Sequence, residues 1–408
     1  MKVKKILIIL LVIVITAFFL TNFSSIYTID DYAYVIAMGL DNSDDSDLIL
    51  SLQIAIPAGS SKGSESSSSQ SSSSIVSTVK CKNINGGVNL INDYLGQKLN
   101  LSYCKAMVFS EDIAKKGIGN YICTATNDIE IRPSCDIIVS KCSALDYITN
   151  SKPLLENLSS KYYEIASSSQ KDTGLTRTIS LMSFYNRYYD SLCEPYAPLS
   201  SIEESNGGDS SSSSSGKSES SSKKDVEKDN ASEKIKNQGL AIFKDDKLIG
   251  EISREETLCY MLVSGKLKEA VINVPSPFED ADYVSLNISF VHSKNKVEIK
   301  NGTPFITCNI SLSARVLSST KTSNYLSKEN SLALEYATNS YLNANITDFL
   351  YKTSKELKSD FIGFGRNAVR SFKTMDNWKN YDWLNKYQNS EFNVNINTTV
   401  KSSYLLIG

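Results

Sequence analysis

Catalysis by an activated serine or cysteine needs an imidazole beside the nucleophile. This chain has one histidine, His292, so any Ser-His or Cys-His pair must be built on it. Its setting argues against that use: it follows Val284, Leu286, Ile288 and Phe290 in phase with the apolar positions of an alternating strand, and reads as a strand-end histidine. Eight cysteines (Cys81, Cys104, Cys123, Cys135, Cys142, Cys193, Cys259 and Cys308) are scattered, with no C-x-x-C and no Cys/His grouping. Neither a zinc site nor a dithiol redox centre is indicated. Cys308 falls on the apolar face of a strand, where a buried thiol is expected, and the sequence leaves any pairing open. There is no Gly-rich phosphate loop and no G-x-S-x-G nucleophile elbow. Two carboxylates would suffice for glycosidase chemistry, but no spacing singles a pair out. The sequence thus nominates no catalytic, cofactor-binding or metal-ligating residue, and no cofactor.

What must be positioned is therefore the whole chain, and its first residues say where. Lys2, Lys4 and Lys5 precede Ile6 to Phe23, an apolar run broken only by Thr16, Thr21 and Asn22. As a helix at ~1.5 Å per residue the run spans roughly 27 Å, close to the ~30 Å hydrocarbon core of a bilayer. The lysines stay inside, so everything after Phe23 is expected to be extracytoplasmic. No Ala-x-Ala cleavage site follows the run, and the first cysteine is Cys81, too late to carry a lipoprotein lipid. An uncleaved anchor over 1–25 is expected rather than a removed signal. The formal net charge of -2 gives no reason to expect a nucleic-acid partner.

The fold class expected is mixed α+β and α/β: the membrane helix, then three domains, each a β-sheet packed with helices. The first, 26–150, opens with a hairpin of Tyr32–Met38 and Leu48–Pro57. A serine-rich insertion at 59–75 buries too little apolar area to order itself. Then come a helix over Gly86–Leu99, a strand over Tyr103–Phe109, a helix begun by Ser110, a strand at Cys135–Val139 and a helix at Ala144–Thr149. The second, 151–277, carries helices at Leu154–Ile165 and Ile179–Tyr189 and a Ser/Lys-rich insertion at 205–234. A hairpin of Gly239–Phe243 and Lys247–Ile252 follows, then a capping box from Ser253 to Glu256, and a strand at Val271–Val274. The third, 278–408, is read as an antiparallel sheet plus long helices. Ile306, Cys308, Ile310, Leu312, Ala314 and Val316 face one way, and a helix runs from Ser327 to about Leu357 with Leu334, Ala337, Tyr341, Ile346, Phe349 and Leu350 available for the sheet. Asp360–Gly365 breaks it, and Phe392, Val394, Ile396 and Val400 mark a closing strand. Each inward side chain there is worth ~1.5–3 kcal/mol, so truncation after Tyr387 is expected to abolish the melting transition of this segment.

Three stretches together resemble the Ger(x)C family, the C subunit of spore germinant receptors. They are Ile29-Asp30-Asp31 through Met38-Gly39-Leu40-Asp41; Gly239–Lys244 with Lys247–Gly250, Glu255-Glu256-Thr257 and Gly265–Lys268; and Ser359-Asp360-Phe361-Ile362-Gly363-Phe364-Gly365 followed by Trp378 and Trp383. Their order covers nearly the whole chain. The resemblance implies three α/β domains, no known catalytic residues, and work beside a membrane-spanning A subunit and a transporter-like B subunit at the outer face of the spore inner membrane. Family members are typically lipoproteins; the missing lipid cysteine is a departure that leaves the apolar helix as anchor. On their own residues, Asp30-Asp31 read as a strand start, Gly363 and Gly365 as a turn, and the two tryptophans as packing residues. The rival readings are a membrane-anchored extracytoplasmic protein binding a solute or wall fragment, and an envelope hydrolase.

Overall fold

Two sheets organise the chain. The structure is a computed structural model describing residues 2–21, 31–43, 47–56, 74–151, 160–165, 173–190, 192–203, 234–278, 283–319 and 327–401. Residues 59–73 and 205–233 of the serine-rich insertions lie outside these, as does the first half of the helix expected at Leu154–Ile165; Ser74 and Ile75 already belong to a strand. Helix α1 runs Lys2–Thr21, and its described side chains, Val3 to Thr16, are all exposed. Among the described residues no helix is long and apolar enough to cross a membrane.

The apolar run at Tyr32–Asn42 becomes β1, buried along most of its length and therefore interior to a sheet. Its neighbours are β2 (Leu48–Ala55), β3 (Ser74–Cys81), β5 (Ala106–Ser110), β6 (Asp136–Ser140), β8 (Tyr196–Glu203), β9 (Lys234–Lys244) and β10 (Lys247–Ile252). The order is β10-β9-β8-β6-β5-β1-β2-β3, with β4 (Lys98–Asn100) on β1 and β7 (Ile179–Ser180) on β6. The centre, β1-β5-β6-β8, is parallel, and the antiparallel hairpins flank it. The sheet runs through the boundary expected near Asn150, because β6 before it pairs with β8 after it. Helix α2 (Ile84–Leu95) stops at the left-handed Gly96, so Leu99 lies in β4 rather than on the helical stripe. Beyond α3 (Glu111–Lys116), α4 (Gly119–Asn127) is a helix that periodicity did not announce. Helix α5 (Ala144–Asn150) covers one face with Ala144, Tyr147 and Ile148. The other face shares the main core with α6 (Leu181–Tyr189) and α7 (Arg254–Val263).

The second sheet has the order β11-β12-β13-β14, over Glu269–Pro275, Tyr283–Lys300, Thr303–Ser319 and Glu391–Lys401. Strand β11 belongs here, so 277 is not a sheet boundary either. The six alternating residues from Ile306 to Val316 are all buried, as their period of two requires. The expected all-antiparallel pairing fails at one place: β14 runs parallel to β13. The physical reason is the crossover, since α8 (Lys328–Tyr351) and the turns after it carry the chain back along the sheet before β14 begins. Helix α8 also covers the outer edge of β14. One turn apart, Glu335, Asn339 and Asn343 accept from Val400 N, accept from Thr398 N and donate to Val394 O at 2.8, 3.0 and 2.7 Å. This closes an edge that would otherwise template pairing. On the apolar side, Thr338 and Leu342 are buried where Ala337 and Tyr341 were expected.

A bulge corrects the phase of β12. The register shifts between Ser289 and His292, with Phe290 at φ 52° and 77% exposed. Val284, Leu286 and Ile288 are buried before it and Val297 after it, so the inward set changes from even to odd positions. His292 is exposed, opposite Ser311.

Candidate functional site

The residues that build the site come from the strand starts, α6 and the turn after α8. Helix α6 is nucleated by Ser180, whose hydroxyl accepts from Ser183 N, and it turns Leu181, Phe184 and Arg187 inward. Arg187 is thus a cation on an apolar face. One of its terminal nitrogens donates to Glu194 O and Phe361 O, both at 2.8 Å, and its guanidinium lies 4.9 Å from the centre of the Tyr196 ring.

Arg187 forms part of the wall of a cavity of about 800 Å³. Its lining also includes Lys105 and Asp136, at the starts of β5 and β6, Lys266, after α7, and Arg366, in the short helix α9 (Gly365–Ala368). Arg177 completes a set of five cations against two carboxylates, Asp136 and Glu164. Lys105 pairs with Glu164 at 2.8 Å. Arg177, Arg187, Lys266 and Arg366 form no ion pair with a described residue. Lys266 is exposed overall, yet its ammonium turns onto Tyr260, 3.4 Å from the hydroxyl. Lost hydration holds it below the ordinary lysine range, and Arg187, Arg177 and Arg366 push the same way.

The Asp360 turn adjoins the cavity wall through the bond from Arg187 to Phe361 O. Asp360 accepts from Gly363 N (2.8 Å), Phe364 N (3.0 Å), Gly365 N (2.8 Å) and Trp383 Nε1 (2.8 Å), and is wholly buried. Burial pushes its carboxyl up to about 6 against the pull of those four donors. The run of N–H groups over 363–365 is an anion nest already filled by the chain's own carboxylate. Gly365 leaves no alternative, since a Cβ there would stand 2.1 Å from Leu192 O and 2.7 Å from Trp383 Nε1. Trp378 stacks on Trp383 at 5.9 Å, both buried, which makes the pair packing residues. At the other motif, Asp41 accepts from Ala144 N (2.7 Å) and Leu145 N (3.0 Å), capping α5 from the end of β1.

The pairing that the sequence left open resolves to free thiols: none of the eight cysteines is in a disulfide, and Cys135 Sγ is 3.9 Å from Cys104 Sγ. Among the described residues no group of three His, Cys, Asp or Glu side chains is placed to hold a metal.

Comparison with known proteins accounts for the position of these motifs. Residues 26–202 match the spore germination protein N-terminal domain, and residues 238–404 match the spore germination B3/GerAC-like C-terminal domain. The chain belongs to the Ger(x)C family of spore germination proteins. The putative spore germination protein YfkR of Bacillus subtilis (strain 168) is 22% identical over 372 residues, covering 90% of this chain and 88% of YfkR. Spore germination protein KC of the same organism is 23% identical, covering 85% and 84%; GerQC of Bacillus cereus is 20% identical, covering 75% and 76%. The crystal structure of the GerBC protein superposes with a TM-score of 0.52 over 89% of this chain and 96% of that one, at 14% identity, a likeness of fold.

In this Ger(x)C chain the residues that carry the resemblance therefore make the fold. Asp41 caps a helix, Asp360 and Gly365 close a turn, and Glu256 closes the capping box on Ser253 while pairing with Lys352 at 2.7 Å. The sequence did not identify the cavity. Its cations are spread from position 105 to position 366, and the only local signal was an arginine at an apolar helical position, Arg187.

Proposed function

We propose that this protein is the non-enzymatic C subunit of a nutrient germinant receptor. It is held by α1 at the outer face of the spore inner membrane, beside membrane-spanning A and B subunits, and is required for nutrient-triggered germination. The observation that carries the reading is the continuity of the family match across 26–202 and 238–404, directly behind an apolar helix. Support for the anchor comes from α1 itself. Its described side chains are exposed and uniformly apolar from Ile6 to Ile15, so that face is left uncovered by the described residues. Support for a role without turnover comes from the buried motif carboxylates, whose acceptor oxygens are occupied by backbone and indole N–H groups.

A detergent pull-down of the tagged full-length protein from spore membranes tests this reading. Recovery of A- and B-like subunits with Met1–Phe23 intact is the expected result. Recovery without membrane partners, with a cleaved N-terminus, would overturn it and favour an extracytoplasmic solute- or wall-fragment-binding protein, the reading that the cationic cavity favours. Deletion of the gene is expected to abolish the response to at least one nutrient.

A further inference from the structure

We infer that the cavity between α6, the starts of β5 and β6, and α9 is a binding site for a small hydrophilic anion of charge two or three, recognised through carboxylate or phosphate oxygens. Charge points to an anion. The whole chain is formally -2, yet among the described residues this one cavity is lined by five cations and two carboxylates, an excess of three positive charges. The Lys105–Glu164 pair cancels internally, leaving Arg177, Arg187, Lys266 and Arg366 around Asp136. Cations converging without counter-charges repel one another and lose hydration, a cost that a multivalent anion removes and a neutral solute does not. The Lys266 ammonium is depressed first by lost hydration, with Arg187, Arg177 and Arg366 adding to it.

Unused hydrogen-bonding capacity points the same way. Arg177 Nε is buried with no hydrogen-bond partner among the described residues. A buried guanidinium N–H is costly to leave unpaired, and a planar two-oxygen group is its best partner. The backbone does not supply the site: at the start of α6, Leu181 N and Met182 N are taken by Cys135 O and Pro133 O, and Ser183 N by Ser180 Oγ. The anion would be held by side chains.

Size and lining suit a small ligand. About 800 Å³ lies within the range of small-molecule sites, and hydroxyl and amide groups from Ser134, Ser183 and Asn186 accompany the cations. The lining is thus mostly polar, which suits a hydrophilic ligand. Because the cavity lining takes residues both from the β-strand starts and from Lys266 and Arg366, a bound anion would tie the first sheet to the α7–α9 region.

This inference stands apart from the receptor assignment, since it is read on the purified full-length chain without partners. Isothermal titration with citrate, with glucose 6-phosphate and with glucose tests it, each at low and high sodium chloride. Binding of either anion, weakened by salt and absent for glucose, is expected; citrate alone would name carboxylate as the recognised group, and the sugar phosphate alone would name phosphate. R177Q/R366Q is expected to weaken binding at least about tenfold, the scale of one lost charge-assisted contact. Without anion its melting temperature should equal or exceed that of the parent, because two repelling charges are gone. Absence of binding by both anions, or equal affinity in the folded double variant, would overturn the proposal.

Discussion

Asp41 and Asp360 are both buried carboxylates that face N–H donors rather than a cation, yet they hold different things. Asp41 reaches across more than a hundred residues to cap α5 with two bonds. Asp360 takes three of its four bonds from residues three to five positions ahead, and only Trp383 lies outside its own turn. One joins two distant elements; the other makes a turn rigid and then fastens it to an indole. The difference teaches that a family motif can mark either a long-range clamp or a local one. The cost of losing it follows the number of donors stranded.

The comparison breaks most visibly at Asp360. D360A leaves three backbone N–H groups and an indole N–H buried without an acceptor, and is expected to cost about 3–5 kcal/mol in denaturant unfolding. D360N should recover little of this, because a carboxamide presents a donor where Gly365 N and Trp383 Nε1 both donate to Oδ2. A loss below that of the corresponding Asp41 variant would reverse the ranking.

How much of this was legible in the sequence depends on the range of the contact. Alternation from Ile306 to Val316 marked its buried face correctly, and the Ser253–Glu256 capping box and the hairpin after Gly239 were readable because each is closed within a few residues. The parallel β14 was not readable: period two reports which face is buried, not the direction of the neighbour. The continuity of the first sheet past Asn150 depends on the β6–β8 pairing, and nothing local to either strand encodes it. Phe290 misled the phase because a bulge inserts a residue without any glycine to announce it. The cavity was hidden for the same reason as the sheet, since no two of Arg177, Arg187, Lys266 and Arg366 are close enough in sequence to form a motif.

A third buried carboxylate sharpens the comparison through pH. Glu194 accepts a single backbone bond, from Asp245 N at 2.8 Å, and burial pushes it up to about 7. Its folded-state pKa lies above the unfolded value, so the folded chain binds the extra proton. Its stability contribution is full below about pH 4.5 and is lost as pH rises through about 7. Asp360 acts with the same sign up to about 6. At 1.36 kcal/mol per unit the Glu194 loss is about 3 kcal/mol. E194Q keeps an acceptor for Asp245 N but cannot ionise, so its stability relative to the parent should rise between pH 5 and pH 8. Parallel curves for the two proteins, measured by urea unfolding across that range, would remove Glu194 as the titrating group.

At Asp41 the effect should be smaller. D41A strands two N–H groups at the first turn of α5, where water can replace part of the lost bonding because Asp41 retains 8% of its exposure. About 1–3 kcal/mol is expected, the range for a lost helix cap or an unsatisfied buried donor. The readout is the denaturation midpoint at constant slope, since a change in slope would mean that α5 had already detached in the native state.

The smallest effect is the most specific to this clamp. Gly39 sits two residues before Asp41, and a Cβ built there would meet Ala144 Cβ at 3.2 Å, the residue whose N–H Asp41 holds. A contact that tight requires α5 to move by a few tenths of an ångström, or Ala144 to shrink. G39A is therefore expected to cost about 1 kcal/mol through overpacking, at the low end of the range for an added methyl group in a filled core. If the cost arises because the helix is pushed off the carboxylate, it should nearly vanish in the D41A background, where there is no bond left to lengthen. If it arises from packing alone, the two costs should add. The double-mutant cycle decides between these, and a coupling of half a kilocalorie or more would mean that glycine and carboxylate act as one device for docking α5 on β1.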